Sequence, residues 1–316
     1  MQMRPLGRTG LSIAPLVFGG NVFGWTADEP TSHALLDAFV DAGLNAVDTA
    51  DVYSRWVPGH TGGESETIIG NWLRASPGKR EKVLILTKVG MDLGEDRKGL
   101  SPRWIERAVE DSLRRLNTDR IDLYQSHRFD AEVPQEDTLR AYERLIQAGK
   151  VRAIGCSNFD APQLQAALDT AREKGLPRYE SVQPEYNLYD RASFDGPLRD
   201  LCLREGIGVI TYFSLASGFL SGKYRSKADA AGRSRAARVE KYFTPRGDAI
   251  LAALDKVSAR VGASQAEVAL AWVIAREGVT APIASATNLD QLKSLVRSTE
   301  IRLGAEDIAE LDRASA

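Results

Sequence analysis

Cysteine and long apolar runs are scarce in this 316-residue sequence, and each scarcity excludes a class of protein. The two cysteines, Cys156 and Cys202, are too few for a disulfide framework and favour a reduced intracellular compartment. No apolar run reaches the ~18 residues typical of a membrane span. The first five residues lack the charged-then-apolar pattern of a secretory signal. The sequence therefore predicts a cytoplasmic protein that is not inserted in a membrane.

Histidine is rare and the net charge is small. The chain has three histidines and a formal net charge of -2, from 41 basic and 43 acidic residues. This balance gives no indication of a nucleic-acid partner. His33 and His60 lack the clustered ligands of a metal site, so we expect no bound metal. We expect His33 to be a solvated helix residue and His60 to lie in a mobile loop.

The charge is uneven along the chain. A segment spanning 214–246, named here the basic loop, contains only Asp229 and Glu240 as acidic residues. Its basic residues are Lys223, Arg225, Lys227, Arg233, Arg235, Arg238, Lys241 and Arg246. Positive charge at this density suits a phosphorylated ligand. A solvated, disordered insert over 227–241 is the equal alternative.

Apolar segments with strand-like and helix-like periodicity alternate along most of the chain. Strands are predicted at 16–18, 44–48, 82–88, 121–126, 151–155, 181–183, 207–211 and 281–283. Helices are predicted between them and at 289–296, the clearest following the N-cap Ser101 and Pro102. The sequence has no G-x-G-x-x-G turn after its first strand, which argues against an open, doubly wound sheet.

This alternation predicts an α/β protein, a (β/α)8 TIM barrel, as one domain over 1–316. An N-terminal β-hairpin over 3–13 should cover the bottom of the barrel, and the basic loop should follow the seventh barrel strand.

Four polar residues lie at or just after the ends of three predicted strands. They are Asp48, Tyr53, Lys88 and His127. The carboxyl ends of barrel strands converge on one face, so these side chains should meet. An ammonium beside a phenol favours the phenolate, so Lys88 is expected to lower the pKa of Tyr53. With Asp48 holding Lys88 and His127 donating to a carbonyl oxygen, the group could protonate an alkoxide as hydride arrives.

Several ordered segments resemble the aldo-keto reductase superfamily, especially bacterial branches related to aryl-alcohol dehydrogenases and potassium-channel β subunits. Beyond the four polar residues, the resembling segments are Gly62-Gly-Glu-Ser-Glu-Thr-Ile-Ile-Gly70, Gly155-Cys-Ser-Asn-Phe159, Gln183-Pro-Glu-Tyr-Asn187 and Ser214-Leu-Ala-Ser-Gly-Phe-Leu-Ser-Gly-Lys-Tyr224. The resemblance implies an NAD(P)H-dependent reductase of aldehydes and ketones, of the alcohol dehydrogenase type.

The resemblance also implies residue roles. Tyr53 would be the general acid and base, with Lys88, Asp48 and His127 as its partners. The implied cofactor-binding residues are Gly19, Gly20, Asn21, Asp48, Ser157, Asn158, Gln183, Tyr212, Ser214, Leu215, Ser217, Lys223, Ser285, Thr287 and Gln291. NADP(H) is favoured and NAD(H) is the alternative. Because 285–291 contains no basic residue, Lys293 and Arg297 are candidates to compensate.

The loops after the strands should form the substrate pocket. Its expected residues are Phe23, Trp25, Tyr53, Trp56, His127, Arg128 and Phe129. Their aromatic character suggests an aromatic or apolar carbonyl compound, or the apolar face of a sugar. A reductase-like regulatory subunit acting through a protein partner is the alternative function, although little chain precedes the barrel to engage one. A barrel isomerase or lyase without nicotinamide is the third reading.

Overall fold

The computed structural model describes residues 2–76 and 78–316. Eight parallel strands form a closed barrel in which the last strand pairs with the first. They are β3 (Val17–Gly19), β4 (Ala46–Asp48), β5 (Leu84–Val89), β6 (Ile121–Ser126), β7 (Val151–Ser157), β8 (Ser181–Gln183), β9 (Gly208–Thr211) and β10 (Ala281–Ala284). The predicted (β/α)8 barrel is confirmed.

The predicted N-terminal hairpin is present as β1 (Arg4–Pro5) and β2 (Ser12–Ile13), which pair antiparallel. Leu6, Leu11 and Ile13 pack against apolar residues of the barrel interior, such as Leu86 and Leu123. This contact seals the end of the barrel where the strands begin. The opposite end, where the strands stop, is left available for a site.

Helices surround the barrel, and most begin at a recognisable cap. They are α1 (Glu29–Asp41), α2 (Glu64–Ala75), α3 (Pro102–Leu116), α4 (Gln135–Gln147), α5 (Ala161–Lys174), α6 (Pro197–Glu205), α7 (Lys227–Ala230), α8 (Ala236–Val239), α9 (Pro245–Val261), α10 (Gln265–Ile274), α11 (Leu289–Ser298) and α12 (Ala305–Ser315). Ser264 and Glu267, for example, form a capping box at the start of α10.

The last helix, α12, is not among the sequence predictions. It has few apolar residues, and among them Leu311 is fully buried. Its position on α9 is instead supported by ion pairs, with Arg260 2.8 Å from Asp307 and Lys256 3.4 Å from Glu310. A helix held largely by charge gives a weak periodicity signal.

The basic loop is folded, contrary to the disordered alternative. It contains the short helices α7 and α8 and is fastened at both ends. Arg225 makes two hydrogen bonds of 2.8 and 2.9 Å to Asp255. At the other end, Lys241 lies 3.1 Å from Asp190, and the Tyr242 hydroxyl donates to the same carboxylate at 2.8 Å. These anchors hold the loop beside the carboxyl ends of the strands.

Among the helices in 2–76 and 78–316, none is both long enough and apolar enough to cross a bilayer.

The packing of α2 against α3 predicts a steric constraint at Gly70. A Cβ atom at this helical position would lie 2.0 Å from the carbonyl oxygen of Arg115. Gly70→Ala should therefore destabilise the protein, by roughly 2 kcal/mol, although alanine normally favours a helix. Thermal unfolding measures the change, and Thr67→Ala on the exposed face of α2 is the control. Equal melting temperatures for Gly70→Ala and the unmodified protein would contradict the close contact.

Candidate active site

Lys88 is the centre of the group of polar residues that the strands bring together. Its side chain is fully buried, and its Nζ donates to Asp48 Oδ2 at 2.6 Å and to the Thr49 carbonyl at 2.8 Å. The third bond reaches the Tyr53 hydroxyl at 2.9 Å. The His127 ring lies 6.0 Å from the Tyr53 ring, centroid to centroid. All four residues named from the strand ends therefore share one site.

Asp48 is oriented by two amides in addition to Lys88. Gln183 Nε2 donates to Asp48 Oδ1 at 2.9 Å, and Gln125 Nε2 approaches the same oxygen at 3.4 Å. Gln125 faces Gly155 in the parallel register, and a Cβ there would lie 3.3 Å from Gln125 Cγ. Gly155 thus leaves room for the amide that helps to hold Asp48. Gln125 is a member of the site that the sequence analysis did not name.

The expectation that Lys88 lowers the pKa of Tyr53 is not met in this structure. Burial raises the pKa of Tyr53 well above its ordinary value, and the negative charge of Asp48 adds to the effect. The Lys88 charge is largely neutralised by Asp48, 2.6 Å away, so it cannot offset the loss of solvent. Tyr53 is accordingly a protonated phenol, ready to give a proton.

His127 is a neutral imidazole. Burial, followed by the positive charges of Lys88 and Arg128, lowers its pKa well below the ordinary value. Its Nδ1 is buried and has no hydrogen-bond partner within the described part of the chain. A neutral ring keeps one N–H donor, which is the form needed to hydrogen-bond a carbonyl oxygen.

Three polar side chains that are among the expected cofactor-binding residues lie beside this group. Ser157 Oγ donates to the Gln183 carbonyl at 2.9 Å, and Asn158 Nδ2 donates to the His127 carbonyl at 2.9 Å. Asn158 has φ of 59°, a conformation that asparagine tolerates better than most residues. The Tyr212 hydroxyl donates to Asn158 Oδ1 at 2.6 Å. This arrangement gives amide and hydroxyl groups next to a flat aromatic ring.

A cavity of about 710 Å³ extends from these residues to the basic loop and α11. Sequence-named residues that line it are Asn21, Asp48, Tyr53, Trp56, His127, Ser157, Asn158, Gln183, Tyr212, Ser214, Leu215, Ser217, Lys223, Ser285, Thr287 and Gln291. Gly19 and Gly20 lie behind the wall: a Cβ on Gly19 would meet Ser285 Oγ at 2.5 Å. The size is within the usual range for a ligand site, ~300–1,000 Å³.

The backbone after β9 has an unusual conformation. Phe213, Ala216, Ser217 and Gly218 all have positive φ, between 48° and 98°. Three of them are not glycine, so the segment stores conformational strain of the kind found at functional sites. Consecutive N–H groups in such turns can form a concavity that binds anions. Lys223 lines the same cavity and supplies a positive charge.

Two arginines of the basic loop that the sequence analysis had not singled out also line the cavity. Arg235 stacks on the Trp25 ring at 5.6 Å, and Arg238 stacks on the Phe213 ring at 5.5 Å. They are close enough for the Arg238 charge to lower the pKa of Arg235, with burial as the larger cause. The only sequence signal for them was the positive charge of the loop.

Lys293 and Arg297, the candidates to compensate for the lack of a basic residue in 285–291, do not line the cavity. Lys293 lies 3.3 Å from Asp290, and Arg297 lies 3.6 Å from Glu267. Both are exposed residues of α11 and are not part of the cavity wall. Helical periodicity explains the error, since α11 turns these two side chains away while Gln291 and Ser294 face inward.

The expected substrate residues divide into two sets. Trp56 lines the cavity. The centroid of its ring lies 6.0 Å from that of Tyr53 and 5.7 Å from that of Trp25. Phe23 is instead fully buried and stacked on a core ring, and Phe129 packs edge to face on Phe159 at 5.4 Å. Arg128 is exposed beyond His127. The cavity wall itself adds Val52 and Met91, which were not predicted.

His33 and His60 lie outside this arrangement. His33 is not a fully solvated residue, since its Nε2 lies 3.1 Å from the Ile68 carbonyl on α2. The backbone N–H of His60 donates to the Val57 carbonyl at 3.0 Å within a turn.

A closed barrel with a buried lysine and aspartate beside a partly exposed tyrosine and histidine is consistent with an oxidoreductase of the barrel type. The sequence of residues 15–316 matches the model of the Aldo/keto reductase family. The chain therefore belongs to this family, whose members use nicotinamide cofactors and are NAD(P)H-dependent oxidoreductases.

The sequences of several known proteins align with nearly the whole chain. "Uncharacterized oxidoreductase YrpG" of Bacillus subtilis is 35% identical, and the alignment covers 97% of this chain and 93% of the relative. "Protein tas" of Escherichia coli is 33% identical over 99% and 97% of the two chains. A rice protein named "Probable voltage-gated potassium channel subunit beta" is 33% identical over 95% and 92%.

The pKa of Tyr53 predicts its behaviour in an alkaline titration. Tyr53 should contribute no phenolate absorbance below its ordinary pKa of about 10, because burial disfavours the charged form. The difference in absorbance at the phenolate band between the unmodified protein and Tyr53→Phe measures this directly. A Tyr53 phenolate signal at neutral pH would show that the Lys88 charge outweighs burial.

Proposed function

We propose that the protein reduces aldehydes and ketones to alcohols, reversibly, with NADP(H), and that Tyr53 donates the proton. The observation that carries the proposal is the 2.9 Å contact between Lys88 Nζ and the Tyr53 hydroxyl, at the end of the long cavity. Tyr53 is the proton-bearing group of that end of the cavity, and His127 is beside it. A proton donor, a neutral hydrogen-bond donor and a fixed ammonium are the parts that reduction of a carbonyl requires.

The residues that line the cavity fit a nicotinamide dinucleotide, which supplies a hydride to the carbonyl carbon when bound. Ser157, Asn158 and Gln183 would hold its carboxamide, and Tyr212 would pack on its ring. The strained backbone after β9 offers N–H groups for the pyrophosphate. Ser285, Thr287 and Gln291, at the start of α11, suit a further phosphate because helix N-termini favour anions.

The charges that line the cavity favour NADP(H) over NAD(H). Lys223, Arg235 and Arg238 face it and have no acidic partner in the described ranges. NADP(H) carries a 2′-phosphate in addition to the pyrophosphate, so it would place more negative charge beside these cations than NAD(H) would. Arginine is well suited to bind a phosphate in a bidentate manner.

The protein groups would act in a defined order on the substrate. His127, as a neutral donor, would hydrogen-bond the carbonyl oxygen and orient it. The Tyr53 O–H bond would then break as its proton moves to the oxygen, where negative charge develops. Lys88 would stabilise the phenolate left on Tyr53, while Asp48 keeps Lys88 in place. Since Tyr53 is protonated at rest, it is in the form that gives a proton to the substrate oxygen.

The wall around Tyr53 favours an apolar or aromatic carbonyl compound. Trp56 and Trp25 form an edge-to-face pair next to Tyr53, with Val52 and Met91 nearby in the wall. Such rings offer flat apolar area at little conformational cost. Trp56 is 41% exposed, which leaves the site open to substrates of different sizes. Nothing in the described residues favours the alternative of a regulatory subunit.

The first test removes the proton that is donated. Tyr53→Phe should lower the rate of NADPH-dependent reduction of an aromatic aldehyde by roughly 100-fold or more, because the general acid is lost. NADPH should still bind, as measured by fluorescence titration, since the cofactor contacts are unchanged. Tyr189→Phe, which loses a hydroxyl near the basic loop, is the control. Normal turnover by Tyr53→Phe would refute the mechanism.

The second test concerns the cofactor. Arg235→Met should weaken NADPH binding about tenfold and change NADH binding much less, because only NADPH has the 2′-phosphate. Arg233→Met removes an exposed cation of the same loop that is not part of the cavity wall, and it serves as the control. Fluorescence titration gives the four dissociation constants. Equal weakening of NADPH binding and NADH binding would show that Arg235 binds the pyrophosphate, which both cofactors carry.

A further inference from the structure

A buried carboxyl group lies beside the Tyr53–Lys88 pair and has no part in the mechanism proposed above. Asp51 belongs to the segment that joins β4 to Tyr53 and is 1% exposed. Its backbone N–H donates to the Lys88 carbonyl at 3.3 Å. Neither carboxyl oxygen of Asp51 has a hydrogen-bond partner among the described residues. A buried carboxylate without donors is unfavourable, so its protonation state needs a physical explanation.

The ionisable groups that face Asp51 come from several elements. They are Glu66 of α2, Arg115 of α3, Lys88 of β5, Tyr124 of β6 and Tyr142 of α4. The Tyr124 hydroxyl is also buried and lacks a partner in the described ranges. Asp51 therefore lies among charges and hydroxyls that do not hydrogen-bond it.

Two of the three buried carboxyl groups in this region are fully supplied with donors. Asp48 accepts from Lys88 at 2.6 Å and from Gln183 at 2.9 Å. Glu66 accepts from Thr87 Oγ1 at 2.6 Å and from Arg115 Nε at 2.7 Å. Asp51 has no such side-chain donor and only a minor contribution from the neighbouring Val52 N–H, so its charged form receives no comparable stabilisation.

The balance of positive and negative groups around Asp51 also favours a neutral Asp51. The two cations beside these groups in the described ranges are Lys88, which is fully buried, and Arg115, which is partly exposed. The three carboxyl groups are those of Asp48, Glu66 and Asp51. Ionisation of all three would leave one uncompensated negative charge inside the protein, which is unfavourable. A neutral Asp51 removes the imbalance. Burial and the charge of Glu66 also raise the pKa of Asp51 well above its ordinary value.

We propose that Asp51 is a positioning residue that holds a proton while the site is active, and that its ionisation limits activity at alkaline pH. The proposal rests on the function proposed for Tyr53. When the Tyr53 proton has moved to the substrate oxygen, Tyr53, Asp48 and Lys88 together carry one negative charge. Ionisation of Asp51, which releases its proton to solvent, would add a second negative charge near Lys88 and oppose proton donation by Tyr53.

Infrared spectroscopy tests whether Asp51 is protonated. The full-length protein, labelled with ¹³C at aspartate, should show the carbonyl band of a protonated acid at neutral pH, and Asp51→Asn should lack it. Asp122→Asn is the matched control, because Asp122 is also 1% exposed but is paired with Arg80 at 2.8 Å and Arg152 at 2.9 Å. That variant should keep the band.

The absence of the band from the unmodified protein, or its persistence in Asp51→Asn, would overturn the proposal. This measurement needs neither substrate nor cofactor, so it can fail or succeed independently of the reductase function. If Asp51→Asn does not fold, the spectrum of the labelled unmodified protein still decides whether a protonated aspartate is present.

The pH profile of kcat for aldehyde reduction tests the role of the proton. Asp51→Asn should keep kcat at neutral pH within about threefold and move the alkaline decline upward by about one pH unit or more. An unmoved alkaline decline would overturn the positioning role, and so would a large loss of kcat at neutral pH. A purely structural effect would lower kcat at all pH values without moving the decline.

The pH dependence of the melting temperature is a third test, because the proposal predicts the direction of the change in Asp51→Asn. Because the pKa of Asp51 is raised on folding, its contribution to stability is full below the unfolded value of about 3.9 and is lost as pH rises. Asparagine has no such loss. The melting temperature of Asp51→Asn should therefore exceed that of the unmodified protein by a margin that grows with pH, and a margin that shrinks would contradict the proposal.

Discussion

The buried ion pair between Lys88 and Asp48 is the interaction on which the rest of the site depends. An ammonium group removed from water needs both an opposite charge and hydrogen-bond acceptors. Asp48, the Thr49 carbonyl and the Tyr53 hydroxyl provide them at 2.6, 2.8 and 2.9 Å. Each of these contacts depends on the parallel pairing of β4 with β5, which brings Asp48 opposite Leu86, two residues before Lys88.

This ion pair adds to the effect of burial on its neighbours. Burial raises the pKa of Tyr53, and the negative charge of Asp48 raises it further. Burial also lowers the pKa of His127, and the positive charges of Lys88 and Arg128 lower it further. A protonated phenol beside a neutral imidazole is consistent with a donor site for reduction. The same requirement for overall neutrality extends to Asp51 and Glu66, whose charges act on Lys88, and to Arg115, which interacts with both of these carboxyl groups.

Most of the barrel and the central residues of the site were predictable from the sequence. Strand and helix periodicities are strong in β5, β6 and α3, and an apolar run that ends in a polar residue indicates the reactive face of a barrel. The outer parts were less accessible. Helix α12 has only a weak apolar pattern, and the direction of Lys293 and Arg297 depends on the rotation of α11 about its axis.

The sequence by itself determined which residue types lie at the strand ends and that the loop after the seventh barrel strand is positively charged. Only the tertiary structure decided how these groups affect one another. Solvent exclusion reversed the expected direction of the Tyr53 pKa, and the folding of the basic loop selected Arg235 and Arg238 to face the cavity. The reason is physical: periodicity is a local property of the chain, whereas desolvation and charge compensation depend on all neighbours in space.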